Sequence, residues 1–293
     1  MSLRDFLILL AICLAWAVNT IISKLVVSTW NVPPLMYGAL RFGIVMLATL
    51  PWLLPMPRPP LRIIIVGLLM GGGTFALLFV GLQSVTPSEA AVVSQAGVPI
   101  TTLLSVVMLN ERIHWRRAIG IALSLAGVLI VVWQPGFEVS AGMLLILAAA
   151  ACGSLGAVLM KQMDEIAPLR LQAWVGLTGF AVLTPLTLGV DQSEWHFAWE
   201  AGWPFWAALL YSALIVSVLA HTAFYRLIQR YEANLLSPLT LITPLATIAL
   251  GVMITGDQLD TKMIVGTALA LVGVLIVALR RTQAPIPQTQ ERS

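Results

Sequence analysis

The stretch Pro99–Trp133, PITTLLSVVMLNERIHWRRAIGIALSLAGVLIVVW, decides how the chain is read. It is an apolar run, a charged corner (Asn110, Glu111, Arg112, His114, Arg116, Arg117) and a second apolar run. The pattern returns at Pro244–Leu279, PLATIALGVMITGDQLDTKMIVGTALALVGVLIVAL. GIALSLAGVLIVV from Gly120 aligns with GTALALVGVLIVA from Gly266, and nine of the thirteen pairs are identical. Gly120 pairs with Gly266, Gly127 with Gly273 and, at the same offset, Glu111 with Asp257. Shared apolar bias would match Leu, Val and Ile, but it would not put two glycines and an acid in register. A repeat of this kind implies two halves of one architecture.

Composition names the solvent. Hydrophobic residues make up 59% of the chain and charged ones 10%, against about 25% charged in a soluble protein. Most of the chain therefore has no face for water, and an integral membrane protein is expected, with the lipid bilayer as its main partner. The net charge of +3 is scattered over short loops, so no basic patch argues for nucleic acid. Cys13 and Cys152 both fall inside apolar runs and read as packing thiols. The first apolar run is too long for a cleaved leader, and Asn19 and Lys24 stand where small cleavage-site residues would be needed.

About 20 apolar residues cross a bilayer, and ten stretches qualify: 6–27, 34–54, 63–83, 88–109, 115–133, 141–161, 168–189, 203–225, 233–255 and 263–279. Short connections make consecutive helices antiparallel. Residues 190–202, with Trp195 and Trp199 ahead of Trp203, read as an interfacial segment. Counting Lys and Arg in the connections, at the span ends and in the tail, and leaving aside Lys24 and Arg41 within spans, puts thirteen on one side and Lys262 alone on the other, so both termini are expected in the cytoplasm. Five spans is an odd number, so the second half must be inverted. The expected fold is an all-α integral membrane protein of ten transmembrane helices in two inverted five-helix repeats. Their bounds are 1–134 and 135–282, followed by a disordered cytoplasmic tail at 283–293. Inverted halves can rock about a midplane site, which suits a carrier.

Trp16 and Asn19, Arg41-Phe42, Pro99, Leu109-Asn110-Glu111-Arg112 and the run through Gly120 and Gly127 together resemble the EamA family of the drug/metabolite transporter superfamily. The likeness covers residues 6–281, with a degenerate copy in the second half, where Gly256-Asp257 stands for Gly-Glu and nothing matches Arg41. The resemblance implies a ten-helix bacterial inner-membrane carrier exporting amino acids, other metabolites or drugs. It is nearly silent on the substrate.

Interior polar groups are the natural site candidates, because apolar packing does not ask for them. Asn19 and Gln95 must bond across helices or line a wet cavity. Tyr211 is a further interior polar candidate, and Ser154, Thr240 and Thr243 are hydroxyls that can also bond back to their own helices. Arg41 lies roughly 10 Å inside its span; it is an anion or carboxylate contact, half of a structural ion pair for which Glu89 is a candidate partner, or a snorkelling side chain. Trp16 and Phe79 offer apolar walls, or simply packing. His221 is the one inward titratable group, and either relays protons or is a satisfied interior histidine. Lys24 is expected to snorkel. Glu111 and Asp257 read as structural charges at helix corners. Gly71 and Gly72 permit close approach, and Pro99, Pro238 and Pro244 interrupt helices in equivalent halves, giving packing or hinge points.

No HExxH, phosphate-binding, dinucleotide or nucleophile-elbow motif occurs, so the expectation is a carrier rather than an enzyme, with no cofactor and no metal. The reading is an exporter of small-molecule metabolites, above all amino acids. A multidrug exporter, a lipid-linked flippase and a selective pore stay open as alternatives, as does a homodimer. Because the acids cluster at span ends, proton coupling is expected to be weak.

Overall fold

The computed structural model describes residues 1–109, 115–133, 140–163, 166–190, 200–231, 236 and 238–279. Residues 110–114 of the charged corner, Glu111 among them, and the tail lie outside the described residues. Nine helices among those described are long and apolar enough to cross a membrane: α1 Leu3–Thr29, α2 Pro34–Trp52, α3 Pro60–Leu82, α4 Pro87–Leu109, α5 Trp115–Val132, α6 Ala141–Lys161, α7 Pro168–Gly189, α8 Gly202–Leu227 and α10 Thr261–Ala278. A shorter apolar helix, α9, covers Ile242–Thr255. The chain is a helical, multi-pass membrane protein.

Local chemistry sets the helix starts. Ser2 caps α1 by accepting from the Asp5 amide. Thr86 and Glu89 form a reciprocal capping box on α4, with Pro87 at the first helical position. Asp260 caps α10 through the Met263 amide. Proline also opens α2 and α3. Gly256, at φ +70°, takes the left-handed turn that ends α9.

The repeated glycines meet each other. A methyl group added at Gly120 would strike the Gly273 carbonyl, and one at Gly266 would strike the Gly127 carbonyl. One glycine of each contact lies early in its helix and the other late, so α5 and α10 pack antiparallel. The contact also returns to itself when the two halves are exchanged. Helices α2 and α7 cross antiparallel too, with Gly38 against Leu183 and Gly179 against Phe42. So do α3 and α6, with Gly81 against Gly142 and Gly156 against Met70. Small residues permit such backbone approach where lipid gives helices no hydrophobic reason to associate.

Helix α4 is broken near its middle, at Gln95–Ala96, and α9 is preceded by a matching break at Thr240–Leu241. The causes are Pro99 and Pro244. A proline removes one bond and pushes away the carbonyl four residues earlier, here that of Gln95 and that of Thr240. The chain tightens at both breaks, where Val98 N donates to Gln95 O and Thr243 N to Thr240 O, each three residues apart. The third helix of each half carries a wide-turn π segment, Leu68–Gly73 in α3 and Tyr211–Ala220 in α8. Gly71 and Gly72 in the first of these lie against Val175 and Val182 of α7. Cys13 and Cys152 are free thiols.

Candidate functional site

The polar groups that sequence scatters over three helices converge where α8 meets α1 and α2. Asn19 and Ser23 are four residues apart on α1, and Tyr37 and Arg41 four apart on α2, so each pair shares a face. Ser212 and Ser217 are five apart on α8, a spacing that would diverge on a regular helix. The π winding aligns them, and its i−5 bonding is visible in the side chains. Ser217 Oγ donates to Ser212 O at 3.1 Å, and His221 Nδ1 to Val216 O at 2.7 Å.

One hydroxyl chain joins the halves. Ser23 Oγ lies 3.4 Å from Tyr37 OH, which lies 2.5 Å from Ser212 Oγ, and Ser212 donates to Asn19 Oδ1 at 2.7 Å. Because Ser212 spends its proton on Asn19, Tyr37 is the donor to Ser212. One helical turn along α2 from Tyr37, Arg41 is fully buried. Its Nε and Nη2 both donate to Ser217 Oγ, at 3.0 and 2.9 Å. The guanidinium carbon sits 4.7 Å from the centre of the Phe75 ring and 5.8 Å from that of Phe79. The third edge of the fork, Nη1, is buried and meets no acceptor.

The candidate ion pair with Glu89 does not form. Glu89 Oε2 is taken by the amide and hydroxyl of Thr86, closing the capping box. Among the described residues no carboxylate pairs with Arg41. Trp16 joins the same group through His221, 5.3 Å ring to ring, and Phe224, at 4.9 Å. Its indole Nε1 is likewise buried without an acceptor. Tyr211 OH donates to the Ala15 carbonyl at 3.2 Å, pinning α8 to α1.

Other predicted residues lie apart from this cluster. Ser154 Oγ donates to Gly97 O at 2.9 Å, tying α6 to α4 just past its break. Gln95 and Thr240 sit at the two breaks, and the Thr243 hydroxyl is buried without an acceptor. Pro238 lies one turn ahead of Ile242. Asp257 fastens α9 to the start of α4. Its Oδ2 accepts from Ser88 N and Ser88 Oγ at 2.9 and 2.5 Å, and its Oδ1 from Thr255 at 2.6 Å. Lys24 Nζ donates to the carbonyls of Leu82 and Gln83 at 2.8 and 3.2 Å, satisfying the end of α3. At the opposite end of α1, Tyr231 OH donates to Asp5 Oδ2 at 2.6 Å, with Arg230 at 3.4 Å.

Sequence reading passes over Ser23, Tyr37, Phe75 and Ser212. The four-residue spacing of Asn19 with Ser23 and Tyr37 with Arg41 was the available signal. Nothing in the sequence announces the π segment that brings Ser212 and Ser217 onto one face.

Known proteins match over nearly the whole chain. A model described as the EamA-like transporter family matches residues 4–133 and again residues 140–279. A probable amino-acid metabolite efflux pump of Escherichia coli strain K12 is 28% identical, over 94% of this chain and 95% of that one. An uncharacterized inner membrane transporter of the same strain, YedA, is 25% identical over 94% and 91%. A solved crystal structure superposes with a TM-score of 0.64 at 19% identity, covering 94% and 96%, and so shares the fold.

Proposed function

The chain belongs to the EamA-like transporter family, and from that premise we propose that it exports small metabolites, amino acids or related compounds, across a bacterial inner membrane by alternating access. The observation that carries this reading is the buried polar cluster. Asn19, Tyr37 and Arg41 from one half face Ser212 and Ser217 from the other, and His221 packs on Trp16. A rocking motion between halves would make and break those contacts. The inner membrane and the amino-acid class are supported by the names of relatives at 25% and 28% identity.

We read the architecture as ten helices in two inverted halves, 1–134 and 135–282, with α9 as the described part of the ninth span. The support is the reciprocity of the glycine contacts. Gly120 and Gly127 correspond in sequence to Gly266 and Gly273, and they meet Gly273 and Gly266 across an antiparallel crossing. A two-fold axis lying in the membrane plane generates that pattern. The thirteen-to-one division of basic residues puts both termini in the cytoplasm. The energy source proposed is the substrate's own gradient: Glu89 and Asp257 are spent on helix caps, and His221 is bonded to the backbone at Nδ1.

Purified protein in vesicles tests the function. Saturable uptake of amino acids with accelerated exchange against internal amino acid is the expected result; non-saturable flux would favour a pore, and lipid scrambling a flippase. Uphill accumulation driven by a pH gradient, abolished by an uncoupler, would overturn the facilitator reading. Orientation is read by impermeant thiol labelling in a background lacking Cys13 and Cys152. A cysteine at Asp260 should label from outside and one at Arg58 should not.

A further inference from the structure

We infer that Arg41 and Trp16 form a carboxylate-recognition subsite, so that the transported class is small organic acids with an apolar or aromatic body. The inference rests on the carrier reading and adds a chemical requirement to it. Arg41 has no exposed surface, two of its three nitrogens fixed on Ser217, and Nη1 without an acceptor. Trp16 holds a second buried N–H without an acceptor, and His221 connects the two. It packs on the Trp16 ring and stands one helical turn along α8 from Ser217, the residue that holds Arg41.

Both orphan groups are donors that cannot accept, since neither guanidinium nor indole N–H has an acceptor site. Their complement is therefore an acceptor, and the uncancelled charge of Arg41 makes it an anionic one. A bare guanidinium at membrane depth is costly, and a bound carboxylate would supply both the missing counter-charge and the missing acceptor. Among the described residues no carboxylate does so: Glu89 is held by Thr86 and Asp257 by Ser88. Phe75 and Phe79 flank the guanidinium and Phe224 packs on Trp16, so the body next to the carboxylate meets aromatic surface. The same electrostatics repel cations, which separates this site from one built for cationic drugs.

The test compares acids with their uncharged or cationic near-isosteres: phenylacetate with phenylacetamide, and L-leucine with L-leucinamide. Binding to the full-length protein is read by thermal stabilisation, and transport by counterflow in vesicles. The acids should bind at least about tenfold more tightly than the amides, the scale of one charge-assisted hydrogen bond. Trp16→Phe should weaken the acids about threefold to tenfold and leave the amides alone. Arg41→Lys should keep part of the preference, and Arg41→Gln should erase it. If Arg41→Gln does not fold, Trp16→Phe and Arg41→Lys still decide. Equal binding of acid and amide to the wild type, a preference indifferent to both substitutions, or no stabilisation by either acid would overturn the inference. Counterflow that favours amides would sink it while leaving the carrier standing. Arg41-dependent acid binding without any transport would do the reverse.

Discussion

Two interfaces between the halves are built on opposite principles. Where α5 crosses α10, glycine backbones make the closest approach, and the contact is reciprocal: Gly120 on Gly273, Gly127 on Gly266. Where α2 crosses α8, the contact is polar and one-sided. Arg41 of α2 bonds to Ser217 of α8, and no charged residue lies between Leu171 and Val190 of α7 to repeat it. Close backbone packing can be copied in both halves because it needs only the absence of side chains. A substrate is not symmetric, so a charge that reads one of its ends is wanted once. Symmetry is thus a property of what holds the halves together, and its loss marks where they do chemistry.

The largest expected effect falls on the symmetric side. A Cβ at Gly127 would meet the Gly266 carbonyl and the backbone of Ala270, and one at Gly273 would meet the Gly120 carbonyl and the backbone of Ser124. Backbone cannot yield as a side-chain tip can. Gly127→Val and Gly273→Val should each cost about 3 kcal/mol or more, the upper range for overpacking, and should cost nearly the same. Gly189, with nothing within 4 Å of its Cβ position, should accept alanine without loss. Thermal unfolding in detergent and the monodisperse yield check all three. Clearly unequal losses at 127 and 273 would break the reciprocity.

The next effect sharpens the asymmetric side. Ser217→Ala strips the single acceptor that Arg41 Nε and Nη2 share but leaves the charge buried, which should cost about 2 kcal/mol. Arg41→Met should cost less, because methionine suits a Phe-lined site and Ser217 keeps its bond to the Ser212 carbonyl. The double substitution should then be no worse than Arg41→Met alone. An additive result would mean that the Ser217–Arg41 bonds contribute nothing.

A smaller effect is expected at Asp257, whose carboxylate caps α4 from the other half. Asp257→Asn keeps the shape but loses the charge at a helix N-terminus, costing about 1 kcal/mol. Hydrogen exchange should speed up first at the opening turn of α4. Unchanged protection there would mean that the Thr86–Glu89 box suffices alone.

What sequence conveys and what it hides divides along the same line. The glycine register of α5 and α10 was legible because a missing side chain leaves a fixed mark at a fixed spacing. The breaks were legible as prolines, though they open four residues earlier, at Gln95 and Thr240, where the displaced carbonyls are. Arg41 was visible as a misplaced charge, but its partner was not. Glu89 was the only nearby acid to guess, and local capping claims it. Ser212 and Ser217 acquire a common face only through π winding, which leaves no composition signal. Pairing across halves is tertiary, and a hydroxyl gives no hint of which distant helix it will meet.

Asn19 and Gln95 make the finest test, because sequence treats them as equivalent buried amides and the structure does not. Asn19 accepts from Ser212 at the end of the hydroxyl chain, so Asn19→Ala leaves a buried proton without a partner and should cost about 1–2 kcal/mol. Gln95 stands at the α4 break, where its backbone carbonyl accepts from Val98, and that bond survives loss of the side chain. Gln95→Ala should therefore shift stability by less than about 0.5 kcal/mol. If the Gln95 amide touches substrate, transport should fall severalfold at unchanged abundance, so the two variants separate on a plot of transport against melting temperature. Normal transport in Gln95→Ala would remove the α4 break from the site and leave the α2–α8 crossing as the whole of it.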